Sequence, residues 1–205
     1  MKVLYIESKL KNLEDFSLPS TEIAKLPKKL FLAYSIQYKS LAQKIKKQLE
    51  ENKIKIVQFS QVLGCSKISS TNPVLLIGAG RFHAINLYLQ APEVYVLDNN
   101  LIASISKKEI ELQKNKRRAA LLKFIRAENI GILVTTKPGQ ENVAQATALR
   151  ERLMKKGKNA FIFISNNLDI AQFENFNIDS WVNTACSGLS YDNPLIINYS
   201  EILNV

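Results

Sequence analysis

Short apolar runs alternate with longer amphipathic ones along most of the chain. Residues 30–34, 54–59, 74–77, 94–97, 130–135 and 160–164 are brief runs rich in Val, Ile and Leu, and they predict strands, that at 74–77 a buried one. Between the first two of them, residues 37–52 place Leu41, Ile45 and Leu49 at i, i+4 and i+8, which is one face of a helix. Residues 82–90 predict a short helix, 107–128 a long basic one, and 140–156 another that ends at Gly157 as its C-cap. Trp181 and Val182 begin a last strand leading into Cys186. At the N-terminus, residues 2–7 read as a strand, and residues 8–27 as a linker that is polar, carries Pro19 and Pro27 and keeps no period. Strands alternating with helices predict an α/β fold whose parallel sheets are covered on both faces.

The series repeats itself. Strand 30–34, helix 37–52 and strand 54–59 recur as strand 130–135, helix 140–156 and strand 160–164, with Gln37 and Gln140 near the same phase. Self-similarity at this period predicts two tandem homologous parallel-sheet α/β units. The division is then a leftover N-terminal strand and linker over 1–27, a first unit over 28–105 with Cys65, and a second over 106–205 with Cys186. Both cysteines follow a strand, and ligands of such sheets gather at the carboxyl ends of strands. Two readings stand: thiols that meet across a cleft between the units, or ordinary buried cysteines.

Composition narrows the chemistry. Two cysteines in 205 residues are too few for a disulfide scaffold, and a single histidine, His83, excludes a three-histidine zinc site built from this chain alone. No stretch approaches the ~20 apolar residues of a membrane-spanning helix, and the apolar start is too short for a signal peptide. A cytoplasmic protein with no membrane partner is expected. The formal net charge of +10 suits acidic partners. The densest basic cluster is Lys114, Lys116, Arg117, Arg118, Lys123 and Arg126. No aromatic-interleaved pattern accompanies it, so no specific nucleic acid is expected, although a basic RNA-binding module remains an alternative.

Two strand-to-helix turns could bind a ligand. Gly78-Ala79-Gly80-Arg81-Phe82-His83 lets backbone N–H groups approach a polar group, or is simply a turn that the chain geometry demands. Asp98, at the end of the next strand, stands where a ribose-binding carboxylate would in a dinucleotide fold, which makes NAD an alternative ligand. Thr135-Thr136-Lys137-Pro138-Gly139-Gln140 is the second turn, with Lys137 a partner for a carboxylate and Gln140 able to donate and accept at the helix start. His83 could act as a base, donate to a ligand, or sit satisfied in the interior. Trp181, Phe173 and Phe176 read as core.

Gln61-Val62-Leu63-Gly64-Cys65, Leu76-Ile77-Gly78-Ala79-Gly80-Arg81-Phe82-His83, Lys137-Pro138-Gly139-Gln140 and Asn183-Thr184-Ala185-Cys186 follow one another in order. Together, over about residues 29–203, they resemble the archaeal diphthamide synthases that perform the first step of diphthamide synthesis. The resemblance implies a 2-(3-amino-3-carboxypropyl)histidine synthase. In that family three related α/β domains each give one cysteine to a [4Fe–4S] cluster. S-adenosylmethionine binds the remaining iron, and the 3-amino-3-carboxypropyl radical made from it attacks a histidine of translation elongation factor 2. Carried over, Cys65 and Cys186 match the cluster ligands of the second and third domains. Gly78, Gly80 and His83 match the turn of the second domain, and Lys137 and Gln140 that of the third. These five are assigned by the resemblance to placing S-adenosylmethionine.

The sequence departs from that family in two ways. The first domain with its cysteine has no counterpart beyond residues 1–8, which look like its last strand, and Ser187-Gly188 stand where the family has proline and arginine. The resemblance then implies a split enzyme, in which a separate first-domain subunit supplies the third cysteine within a homo- or hetero-oligomer. The alternatives are a non-catalytic accessory or electron-transfer subunit of the same pathway and an α/β nucleotide-binding protein that uses Gly78, Gly80 and Asp98.

Overall fold

The computed structural model describes Leu4, Ile6 and residues 16–78, 81–98 and 100–203. The chain divides into two compact units, Met1–Ile110 and Glu111–Val205. The strand expected at residues 2–7 lies outside the described residues, apart from Leu4 and Ile6, which are both exposed.

In the first unit, helix α1 (Ser20–Ile23) precedes β1 (Lys29–Tyr34), α2 (Lys39–Glu51), β2 (Lys55–Gln61), β3 (Val74–Ile77), α3 (Arg81–Tyr88), β4 (Val94–Asp98) and β5 (Leu101–Ser104). The sheet runs β2-β1-β3-β4-β5. Its first four strands are parallel, and β5 returns antiparallel to β4. The alternation of β1 explains how both faces are covered. Leu30, Leu32 and Tyr34 meet Leu41, Ile45 and Leu49 of α2, while Phe31 and Ala33 meet Ala84 and Leu87 of α3 on the other side. Fully burying such a side chain stabilises by about 1.5–3 kcal/mol, so the i, i+4, i+8 stripe is what holds α2 on the sheet.

Helix α4 (Lys107–Arg126) leads into the second unit, which holds β6 (Asn129–Thr135), α5 (Val143–Lys155), β7 (Asn159–Ser165), β8 (Ser180–Asn183), α6 (Leu189–Asp192) and β9 (Ile196–Asn198). All four strands are parallel in the order β7-β6-β8-β9. The second sheet thus repeats the order of the first four strands of the first sheet, and the fold is α/β with two mainly parallel sheets. Helix α5 ends as its sequence predicts. Gly157 takes φ +78°, with Gly157 N–H donating to Met154 O at 2.9 Å and Lys158 N–H to Leu153 O at 3.1 Å.

Four features differ from the sequence reading. The described part of the expected linker is packed: Leu18, Ile23 and Leu26 join the core cluster of the first unit. Buried Glu22 accepts from Lys25 Nζ at 2.6 Å and from the backbone N–H of Ile102 in edge strand β5 at 2.7 Å. Strand β5 lies between the expected strand and helix, entered through Asn100 at φ +68°. The strand at Trp181 is not the last, because β9 follows it. Helix α5 starts at Val143 rather than residue 140, since Gly139 at φ +78° prolongs the turn.

Candidate functional site

Cys65 sits on the loop that leaves the carboxyl end of β2, and its side chain is exposed. Helix α3 fixes that loop. Asn86 of α3 and Gln90 in the turn after it both reach the loop: Asn86 Nδ2 donates to Gly64 O at 2.8 Å and Gln90 Nε2 to Ser66 O at 3.1 Å. Gln90 Oε1 also accepts from Ile68 N–H at 2.9 Å. The backbone on both sides of Cys65 is therefore anchored while its thiol stays open to solvent.

The glycine turn precedes the same helix. A Cβ on Gly78 would lie 2.9 Å from Ser35 Oγ, a tight approach that a side chain would strain. Ser35 Oγ is itself buried without a hydrogen-bond partner among the described residues. Gly80 lies outside the described residues. His83 is half-buried on α3, and burial holds its imidazole below the ordinary 6.5, which favours the neutral ring. Gly78 and Asp98 both line a cavity of about 450 Å³ in this unit.

In the second unit three of the sequence-assigned residues come together. Lys137, Gln140 and Cys186 line one cavity of about 200 Å³, with Thr135 and Ala185 beside them. The turn is set by Thr135, whose Oγ1 donates to Asn166 O at 3.1 Å and accepts from Lys137 N–H at 3.2 Å, and by a bond from Gln140 N–H to Lys137 O at 3.0 Å. Asn142 then crosses from this turn to the cysteine loop: its Nδ2 donates to Thr184 O at 2.7 Å. The Cys186 loop is pinned from below by buried Asn183. Asn183 Nδ2 donates to Cys186 O and to Asn198 Oδ1, both at 2.8 Å, and its Oδ1 accepts from Ala185 N–H at 2.9 Å. Ser187 Oγ, next to the exposed thiol, is buried with no partner among the described residues.

Sequence reasoning did not single out Asn86, Gln90, Asn142 or the anchoring role of Asn183. Asn142 alone carried a readable signal, as an asparagine just before a helix. It is the N-cap of α5 but makes no side-chain cap bond there; its amide links the two loops instead. Asp98, the ribose partner of the dinucleotide alternative, is exposed at the edge of the first cavity. Among the described residues no three His, Cys, Asp or Glu side chains are grouped to hold a metal ion, and no helix is long and apolar enough to cross a membrane.

Two mainly parallel sheets of one strand order, each with an exposed thiol on a loop that follows a strand, define an α/β protein of the class whose ligands gather at the carboxyl ends of strands. The chain belongs to the diphthamide synthesis protein family, whose profile matches residues 1–199. It is 26% identical over 184 residues to the 2-(3-amino-3-carboxypropyl)histidine synthase of Pyrococcus horikoshii, covering 83% of this chain and 54% of that protein. It is also 26% identical over 168 residues to 2-(3-amino-3-carboxypropyl)histidine synthase subunit 1 of Yarrowia lipolytica, covering 70% of this chain and 36% of that one. Its fold is similar to the crystal structure of Dph2 from Pyrococcus horikoshii with a 4Fe-4S cluster, at a TM-score of 0.77 and 26% identity over 89% of this chain and 58% of that one. The chain thus spans about half or less of the length of the curated relatives it matches.

Proposed function

We propose that this chain is a subunit of the enzyme that transfers the 3-amino-3-carboxypropyl group of S-adenosylmethionine to a histidine of translation elongation factor 2, the first step of diphthamide synthesis. The observation that carries this reading is the Cys186 thiol sharing a cavity with Lys137 and Gln140, in a member of the diphthamide synthesis family. Exposed thiols on tethered loops suit thiolate ligation of a [4Fe–4S] cluster, the group that the similar Pyrococcus horikoshii Dph2 carries in its crystal structure.

This chain holds two cysteines, Cys65 and Cys186, so it fits two corners of a cubane and not a complete ligand set. In this reading a separate subunit resembling the family's first domain brings the third thiolate. When bound, the reduced cluster supplies the electron that breaks the bond between the sulfonium sulfur and Cγ. The chain's own residues hold the substrate. The Lys137 ammonium pairs with the amino-acid carboxylate, and Gln140 Oε1 accepts from the amino group. Gly78, where a Cβ would crowd Ser35 Oγ, keeps its turn open for backbone contact, and neutral His83 hydrogen-bonds without drawing in an anion.

A second reading, an accessory or electron-transfer subunit of the same pathway, is favoured by Ser187-Gly188 at the position of the family's proline and arginine. The test is anaerobic cleavage of S-adenosylmethionine by the reconstituted chain together with a first-domain polypeptide. Cleavage that is abolished by Cys65→Ala supports the catalytic reading. Cleavage that persists in that variant favours the accessory one.

A further inference from the structure

Helix α4 packs with one side and leaves a patterned one in solvent. In the second unit Ala120 and Phe124 enter the core. On the other side Leu112, Asn115, Ala119, Leu122 and Arg126 recur at three- and four-residue intervals, and all five are exposed, Leu112 by 55% and Leu122 by 54%. This spacing is the a and d seam of a heptad pattern. Lys116 and Lys123 flank the seam at the e positions and Arg118 at a g position. None of these three cations, nor Arg126, is ion-paired among the described residues, whereas Glu111 at the first g position is paired with Lys114 at 3.6 Å. A groove of about 730 Å³ lies beside the C-terminal half of the seam, where Ala119, Leu122, Lys123 and Arg126 line it. Its carboxylates are Glu128 and Asp179, and Asp179 Oδ2 is engaged by the N–H groups of Glu128 at 3.1 Å and Asn129 at 2.8 Å.

We propose that this face docks an acidic amphipathic helix of a partner protein. The partner's apolar residues seat on Leu112, Ala119 and Leu122, and its carboxylates meet Lys116, Arg118, Lys123 and Arg126. Charge complementarity selects that occupant. A second copy of this chain would bring the same cations to the seam, and each copy carries a formal net charge of +10, so self-pairing is opposed. Binding of single-stranded nucleic acid relies on exposed aromatic rings for stacking, and the one aromatic residue of α4, Phe124, is buried. Insertion into a lipid surface needs an unbroken apolar face, which Asn115 and Arg126 interrupt. Small Ala119 between the leucines leaves a hole for a partner side chain, and polar Asn115 in the seam sets the register of the pair. The groove is lined by Asn129 and Asp179, at the amino ends of β6 and β8, whereas Lys137 and Cys186 follow the carboxyl ends of the same strands. A partner here leaves the Cys186 cavity open, and the inference stands apart from the proposed function.

The probe is a fluorescein-labelled peptide of about three heptads with leucine at a and d and glutamate at e and g, titrated with the full chain and followed by anisotropy. A peptide with lysine at e and g is the control. The glutamate peptide is expected to bind, more weakly as salt rises, and the lysine peptide to bind about tenfold less tightly or worse. Leu122→Ser removes an exposed anchor and is expected to raise Kd by about tenfold. Arg118→Glu combined with Lys123→Glu is expected to reverse the preference, so that the lysine peptide binds the tighter. A reversed preference cannot come from a folding defect. The proposal is overturned if the glutamate peptide does not bind, if both peptides bind alike, or if Leu122→Ser leaves the affinity unchanged. It is equally overturned if single-stranded RNA or phosphatidylserine vesicles bind more tightly than the glutamate peptide and lose that binding in the charge-reversed variant. A dimer of this chain that Leu122→Ser dissociates, seen by analytical ultracentrifugation, would overturn it in favour of a second copy.

Discussion

Asn183 is 2% exposed and its amide serves three partners, the carbonyl of Cys186, the N–H of Ala185 and Asn198 Oδ1. Truncation to alanine leaves the buried Asn198 oxygen without this donor, and Asn183→Ala is expected to cost about 1–3 kcal/mol in denaturant unfolding. The same variant should speed alkylation of Cys186, measured with a maleimide on the native protein, because the loop loses its anchor. Glu22 gives a pH-dependent case. The Lys25 ammonium first, and the Ile102 N–H second, hold its carboxyl below the ordinary 4.5. Its contribution to stability is therefore complete above that value and is lost as pH falls through its lowered folded value. Urea midpoints measured on the acid side of pH 4.5 should fall less steeply for Glu22→Gln than for the unsubstituted chain.

At the scale of elements, the aromatic side of the second sheet depends on a missing side chain. Gly131 of β6 is in register with Trp181 of β8, and a Cβ at Gly131 would overlap the indole ring. Phe163 packs edge-on against that ring with centroids 4.8 Å apart. Gly131→Ala should cost about 1–3 kcal/mol by overpacking, seen as a lower unfolding midpoint followed by the fluorescence of the single tryptophan. The elements legible in the sequence were those with a sustained period or a continuous buried run. Helix α2 and strand β3 lie where the stripe at Leu41, Ile45 and Leu49 and the run 74–77 placed them. Strands β5 and β9 have four and three residues, too short for a period to register. The segment around α1 read as a linker because Pro19 and Pro27 mask three widely spaced apolar residues that nonetheless reach the core.

Over the whole molecule, the duplication was readable because strand, helix and strand recur at one interval, and the two sheets share a strand order. The candidate site was readable by chemistry rather than by support. Lys137, Gln140 and Cys186 were identified by type and do line one cavity. The amides that hold the two cysteine loops could not be read in that role, since their partners are 42 positions away for Asn142 and 22 for Asn86. The proposed chemistry requires that both thiols of this chain bind iron. Iron and sulfide content, with the visible absorption spectrum, reads this out after anaerobic reconstitution in dithiothreitol, which caps irons that lack a protein thiolate. A cluster spectrum that diminishes in Cys65→Ser, diminishes in Cys186→Ser and disappears in the double variant is the predicted result. Equal iron and sulfide in the double variant and the unsubstituted chain would contradict ligation by either thiol.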